Sequence, residues 1–255
     1  MRSRGSFTLS AVLTALAALL VAPPAHAAKE PKIVYLTFDD GPNAGNDPRL
    51  LKVLAREQVP ATFFVLGQSL AADPGQATRL WLAGHAVGNH TWSHPNLTQL
   101  DPAGVHHQFA STQRLLGAAG GGCMRPPYGA TNSTVTAVAR GLGLKQVLWT
   151  VDPQDWAHQD SAYIAAHVLS HVRNRSIVLL HDGGGPRLAT VSAVKRIIPE
   201  LRRQGYEFRT IPSCRVPFTG LLYGAAKPKS KPKPPDPTPT PLPSPTSAAA
   251  VGMGS

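Results

Sequence analysis

The sequence predicts an α/β domain built as an incomplete or distorted barrel, and three observations lead there. Seven short apolar runs of strand length recur down the chain. Helix-like segments separate most of them, and polar residues gather at the carboxyl ends of the runs. Continuous apolar strands alternating with helices argue for a parallel sheet covered by helices. Seven such units in one domain fit a distorted barrel better than an open sheet.

The expected strands are 33–38 (IVYLTF), 61–66 (ATFFVL), 85–89 (HAVGN), 124–127 (MRPP), 146–151 (QVLWTV), 176–181 (SIVLLH) and 206–211 (YEFRTI). The first helix is expected over 48–58, where Leu50, Leu51, Val53 and Leu54 fall near one face. Others follow over 102–116, 133–142, 161–172 and 190–204. The glycine runs at 117–122 and 182–185 read as flexible loops. They are not phosphate cradles, because neither GxxxxGK[ST] nor GxGxxG is present.

Both ends of the chain read as segments outside the fold. Residues 1–27 resemble a secretory signal: Arg2 and Arg4, an apolar stretch from Leu9 to Ala22, then Ala25-His26-Ala27 as a cleavage site. The apolar run is short and is broken by Pro23-Pro24, so a retained membrane anchor is not expected. From 225 to 255 the chain is rich in Pro and Lys and reads as an extended, disordered tail. One folded domain is expected over 29–220.

The chain carries 25 Lys+Arg against 14 Asp+Glu, a formal charge of +11, and stays strongly basic without Arg2 and Arg4. For an exported protein this implies association with an acidic surface such as a bacterial wall. No nucleic-acid motif or dense basic stripe with interleaved aromatics is present, so nucleic acid is not an expected partner. Cys123 and Cys214 allow one internal pair, which export would permit. Whether the fold brings them together is left open by the sequence.

Five of the strand ends carry polar residues: Asp39 and Asp40, Asn89 and His90, Tyr128, Asp152 and Asp155, and His181 with Asp182. In parallel α/β folds these ends share one rim, where sites are built. Adjacent carboxylates resist joint ionisation unless something positive holds them. His90 and His94, four apart, can both reach one ion, and Pro95 disfavours helix at His94, so a single irregular turn is expected. With an aspartate they make a one-oxygen, two-nitrogen donor set. Neighbouring side chains of an extended segment point in different directions. One aspartate can therefore ligate while the other takes a proton from the attacking water.

Five motifs in order, TFDDGP (37–42), HTWSH (90–94), RPPYG (125–129), DPQDW (152–156) and VLLHDG (178–183), give the chain a family resemblance. It resembles the polysaccharide deacetylases of carbohydrate esterase family 4, the NodB-homology domain, over about 33–212. The resemblance implies a distorted (β/α)7 barrel. It implies Asp39 as catalytic base, Asp40, His90 and His94 as metal ligands, and Arg125 as the electrostatic support of the base. Tyr128 would offer a backbone N–H to the oxyanion. Asp155 would orient the acid His181, and Trp156 with Leu179 would receive the acetyl methyl. The implied cofactor is a divalent metal, zinc foremost, with cobalt or nickel also suited to such donors.

The expected activity is removal of N-acetyl groups from N-acetylglucosamine polymers, chitooligosaccharide or peptidoglycan, by a secreted monomer able to associate with the wall. Two alternatives are an acetylxylan O-acetyl esterase, which would use the same machinery, and a non-catalytic wall-binding module, which would lack a base, ligand or acid. Other residues read as bland: Trp149 as core, Asp152 as a turn former, Asp47 and Asp182 as loop or capping residues. His85, His106, His107, His158, His167 and His171 read as structural or solvated.

Overall fold

The computed structural model describes residues 30–216. The expected leader (1–27) and tail (225–255) lie outside the described residues, as do residue 29 and residues 217–220. In chain order the elements are β1 (Lys32–Asp39), α1 (Asp47–Arg56), β2 (Thr62–Val65), α2 (Gly67–Ala72), α3 (Gln76–Leu82), β3 (Ala86–Asn89) and α4 (Pro102–Leu116). They continue with β4 (Gly120–Met124), α5 (Ser133–Gly141), β5 (Lys145–Gln146), α6 (Ser161–His171), β6 (Ser176–His181), α7 (Leu188–Arg203) and β7 (Tyr206–Phe208). The expected helices form, and a first-turn Pro or a capping side chain starts all of them but α7. Asp101 accepts from Gly104 N at 2.7 Å ahead of Pro102, and Asn132 accepts from Val135 N at 2.9 Å. Helices α2 and α3 went unforeseen because they are 6 and 7 residues long, too short to show a period.

Among the described residues the sheet has seven parallel strands, ordered β5-β4-β3-β2-β1-β6 with β7 added on β1. β6 lines one edge of β1 from Val34 to Asp39. The other edge is split, with β7 along Lys32–Val34 and β2 along Thr37–Asp39. Past β5 the chain crosses to β6, where Val151 bridges Val178. The sheet thereby curls into the expected distorted (β/α)7 barrel.

Three strands differ from expectation, the last of them in forming only over Tyr206–Phe208 of the expected 206–211. Of the run 146–151, Gln146 ends the short strand β5 and Val151 makes a single bridge; between them the Val147 and Leu148 carbonyls turn inward to accept from Arg125 at 3.2 and 3.3 Å. The fourth strand lies at Gly120–Met124, not 124–127, so part of the glycine run is sheet. Its glycines answer crowding: a Cβ on Gly121 would lie 2.1 Å from the Cys214 carbonyl oxygen.

Alternation along β1 separates two apolar layers. Val34, Leu36 and Phe38, all fully buried, pack with Leu50 of α1, Ile164 of α6 and Val194 and Ile197 of α7. Each such side chain contributes about 1.5–3 kcal/mol. The opposite face turns Tyr35, Thr37 and Asp39 into the barrel. There Tyr35 packs with Phe64, Val147, Ile211 and the disulfide Cys123–Cys214. The two cysteines, whose pairing the sequence left open, meet with Cα atoms 5.0 Å apart and close a separation of 91 residues. In the chain-entropy model a loop of that size is worth about 4–5 kcal/mol.

His85 is the structural histidine expected of it. It is buried, its Nδ1 accepts from Ala61 N at 3.1 Å, and burial pushes its pKa down from 6.5 to about 4. The unfolded chain therefore binds a proton there before the folded chain does. Stability should fall as pH drops from 6.5 through 4, by about 3 kcal/mol for this group. The check is the urea midpoint against pH for the native chain and for His85→Gln, whose curve should be flatter across that window. Parallel curves would refute it.

Candidate active site

Strand register assembles most of the rim. Asp39 stands beside His181 of β6 and Phe64 of β2, while Asn89, ending β3, stands beside Met124, one residue before Arg125. Arg125 is fully buried. Its Nη1 donates to Asp39 Oδ1 at 2.7 Å and to Thr37 Oγ1 at 2.9 Å, and its guanidinium lies 4.2 Å from the centre of the Phe64 ring. Burial lowers its pKa, opposed by the charge and hydrogen bond of Asp39, and an arginine stays cationic in such a setting. It orients the Asp39 carboxylate through one oxygen. The second oxygen, Oδ2, lies 3.8 Å from His90 Nε2.

Asp40 faces two imidazoles. Its Oδ1 lies 3.4 Å from Nε2 of both His90 and His94, and one donor atom from each of the three residues falls within 4.8 Å of the others. The histidines sit on an irregular turn, as Pro95 implied, with Thr91 at φ 74° and His94 at φ 61°. Asp40 (φ 77°) and Tyr128 (φ 59°) are also left-handed. Such residues cost about 1–3 kcal/mol each and cluster where function over-determines the backbone.

The surroundings of this triad fit a divalent cation. His90 Nδ1 lies 2.8 Å from the Arg125 carbonyl, which can only accept, so its proton sits there and the Nε2 lone pair faces Asp40. His94 Nδ1 lies 3.2 Å from the Tyr128 hydroxyl. Asp40 Oδ1 is buried and receives no hydrogen bond. An oxygen and nitrogens presenting lone pairs to one another form a set that a cation completes. Burial alone would raise the Asp40 carboxyl. The contact and charge of His90, with His181 and His94, outweigh it and bring the pKa to about 2. Burial and the charge of His90 push His94 down. Both shifts favour the forms that ligate.

Across the pocket His181 Nδ1 donates to Asp155 Oδ1 at 2.6 Å. Asp155 Oδ2 accepts from the His181 backbone N–H at 3.0 Å and from Thr190 Oγ1 at 2.7 Å. Burial would lower the His181 pKa, but the hydrogen bond and charge of Asp155, aided by Asp39 and Asp40, raise it overall. The imidazole is thus oriented and biased toward its protonated form.

These groups share a pocket of about 400 Å³, also walled by Pro126, Tyr128, Trp149, Trp156 and Leu179. All ten residues expected at the site converge here: eight line the pocket, while Arg125 and Asp155 stand behind it holding Asp39 and His181. Tyr128 is 69% exposed. Trp149, expected in the core, is half-buried pocket wall, because the turned 147–148 segment lifts it beside Arg125. Asp152 makes the expected turn, accepting from Gln154 N at 2.8 Å, and lines the pocket as well. Asp47 and Asp182, expected on loops or as caps, are buried. Thr37 and Thr190 were missed. Thr37 stood inside the quoted TFDDGP motif, whereas Thr190 carries no local signal.

Known proteins resemble the chain in sequence and in fold. A family model described as polysaccharide deacetylase matches residues 26–147. A chitooligosaccharide deacetylase from Bradyrhizobium sp. is 41% identical over 197 residues, covering 70% of this chain and 89% of that protein. The peptidoglycan-N-acetylglucosamine deacetylase PgdA of Listeria monocytogenes is 39% identical over 192 residues, 74% of this chain and 40% of that longer protein. The solved structure of the peptidoglycan deacetylase PdaC from Bacillus subtilis superposes with a TM-score of 0.66 at 34% identity, covering 71% of this chain and 89% of that one.

Proposed function

The chain belongs to the polysaccharide deacetylase family, and we propose that it is an exported hydrolase that removes N-acetyl groups from N-acetylglucosamine residues of a polymer. One observation carries this reading. A carboxylate paired to a buried arginine, a one-carboxylate, two-imidazole donor set and an imidazole held by its own carboxylate all converge on one pocket. A wall-binding module that had lost catalysis would lack one of these groups, and none is missing.

Asp40, His90 and His94 would hold a divalent ion, and zinc suits such donors. When bound, the ion supplies Lewis-acid polarisation of the acetyl carbonyl and lowers the pKa of water. Asp39, oriented by Arg125, draws a proton from the attacking water through its second oxygen. The Tyr128 N–H donates to the carbonyl oxygen as charge develops on it. His181, held by Asp155 in its protonated form, delivers a proton to the departing amine. Leu179 and Trp156 enclose the acetyl methyl on apolar surface. An amide needs that proton more than an ester does, because the amine is the poorer leaving group. The named relatives are described as chitooligosaccharide and peptidoglycan deacetylases, so the acetylxylan reading comes second.

Export is supported by the leader-like residues 1–27 and by the buried disulfide, which persists in oxidising compartments. The basic charge favours association with an anionic wall. The test is acetate release from chitooligosaccharide, peptidoglycan fragments and acetylated xylan, before and after chelation and zinc add-back. Release from the N-acetylglucosamine substrates, abolished by chelator and restored by zinc, is expected. Release from xylan alone would make it an esterase, and folded, zinc-loaded protein silent on all three would overturn the reading.

A further inference from the structure

The run 182–185, expected to be a flexible loop, is held carbonyl by carbonyl. Asn46 Nδ2 donates to the carbonyls of Asp182 and Gly185, each at 2.9 Å. Arg187, just ahead of α7, donates from Nε to the Gly183 carbonyl at 2.9 Å and from Nη2 to that of Gly184 at 3.1 Å. Its Nη1 makes a longer contact, 3.5 Å, with the Pro186 carbonyl. The two side chains are themselves joined, because the Arg187 backbone N–H donates to Asn46 Oδ1 at 3.2 Å. Both residues are buried. Five successive carbonyls therefore accept from one amide and one guanidinium, and bonds to a charged donor are the stronger kind.

This loop lies directly behind the turn that carries Asp39 and Asp40. The backbone N–H groups of Asp182 and Gly183 donate to the Asp39 carbonyl at 3.1 and 3.2 Å. In return the Gly41 N–H donates to Asp182 Oδ1 at 3.0 Å. The approach is closest at two glycines. A Cβ on Gly183 would lie 2.2 Å from the Asp40 carbonyl oxygen, and one on Gly184 would lie 2.8 Å from Asp40 Oδ2 and 3.2 Å from Arg187 Nη2. The Asp40 carboxylate is thus wedged. Its Oδ1 faces His90 and His94 at 3.4 Å, and its Oδ2 takes the space that any side chain on Gly184 would need. On the reading of Asp40 as a metal ligand, we propose that Gly183, Gly184 and Arg187 are positioning residues for the metal site. Arg187 moulds the loop, and the bare backbone of the two glycines sets where the Asp40 carboxylate stands.

Alanine at two neighbouring glycines separates positioning from mere stability. Gly184 (φ 68°) and Gly185 (φ 130°) both hold conformations that alanine adopts only under strain. Only Gly184 meets Asp40, whereas a Cβ on Gly185 would meet Arg187 Nη1 alone, at 4.0 Å. The metal-free chain should therefore melt about 2–10 °C lower in Gly184→Ala and in Gly185→Ala alike. Zinc affinity, titrated by calorimetry well below the melting range, should distinguish them. It should fall at least about tenfold in Gly184→Ala and stay within about twofold of native in Gly185→Ala. Arg187→Met keeps an apolar stem but removes every side-chain donor. It should also weaken zinc binding about tenfold or more, although Arg187 touches none of the ligating atoms.

Gly184→Ala binding zinc as tightly as the native chain, or Gly185→Ala losing as much affinity as Gly184→Ala, would overturn the proposal. Asp40→Asn, titrated beside them, keeps the ligand role and the positioning role apart. Its zinc affinity should fall further than that of Gly184→Ala. If Asp40→Asn bound zinc as the native chain does, the ligand role of Asp40 would fall and the positioning role with it. If Asp40→Asn lost zinc and Gly184→Ala did not, the ligand role would stand and the positioning role alone would fall.

Discussion

Asp39→Asn should lower turnover by about 10²–10⁴-fold while the protein stays folded and still takes up metal. Asparagine has nearly the same shape, and its oxygen can accept from Arg125 Nη1 as Asp39 Oδ1 does at 2.7 Å. Arg125 also keeps Thr37 and the Val147 and Leu148 carbonyls, so its burial remains compensated. What disappears is the capacity of the second oxygen to take a proton. The donor set of Asp40, His90 and His94 is not altered by the change. Steady-state kinetics, zinc titration by calorimetry and thermal melting together check the expectation. Near-native turnover in zinc-loaded Asp39→Asn would remove Asp39 from the role of base.

Asp155→Asn should cost about 10²-fold or more, and the loss should grow with pH. Every acceptor position of Asp155 in contact with protein is used: His181 Nδ1–H on one oxygen, the His181 backbone N–H and Thr190 on the other. An amide group must turn its NH2 toward one of those donors, so no orientation of asparagine satisfies all three. The sign with pH follows from the opposing influences on His181. Burial lowers its pKa, and the hydrogen bond and charge of Asp155 are the foremost influences raising it. Without that charge burial is less opposed, and His181 loses its proton at a lower pH. The alkaline limb of kcat/KM should therefore shift to lower pH, with the smallest deficit in acid. An unshifted alkaline limb would show that Asp155 does not set the protonation of His181.

Much of the site could be read along the chain because its parts are local. Asp39 and Asp40 end an apolar run whose alternation was visible, so the burial of β1 and the exit of its last residues at a rim followed from strand geometry. His90 and His94 announced a shared partner by spacing, and Pro95 announced the irregular turn. The glycines of 117–122 misled because the same residue serves a loose loop and a crowded strand. Only the approach of the Cys214 backbone to Gly121 distinguishes the two. Trp149 misled in a similar way: an aromatic in an apolar run reads as core, and what lifts it to the pocket is Arg125 taking the neighbouring carbonyls.

By itself, then, the sequence determined the parallel α/β class, the positions of the helices longer than two turns, and the residue types waiting at each strand end. These depend on period, capping and chain stiffness, which act over a few residues. Tertiary structure alone decided which of those residues meet. It set Arg125 against Asp39, 86 positions apart, and joined Cys123 to Cys214 inside the barrel. It also brought Thr190 to Asp155 and Asp182 to the Gly41 N–H. Those contacts depend on strand register and on how a curled sheet closes, and a burial cost shared among distant segments leaves no mark on any one of them.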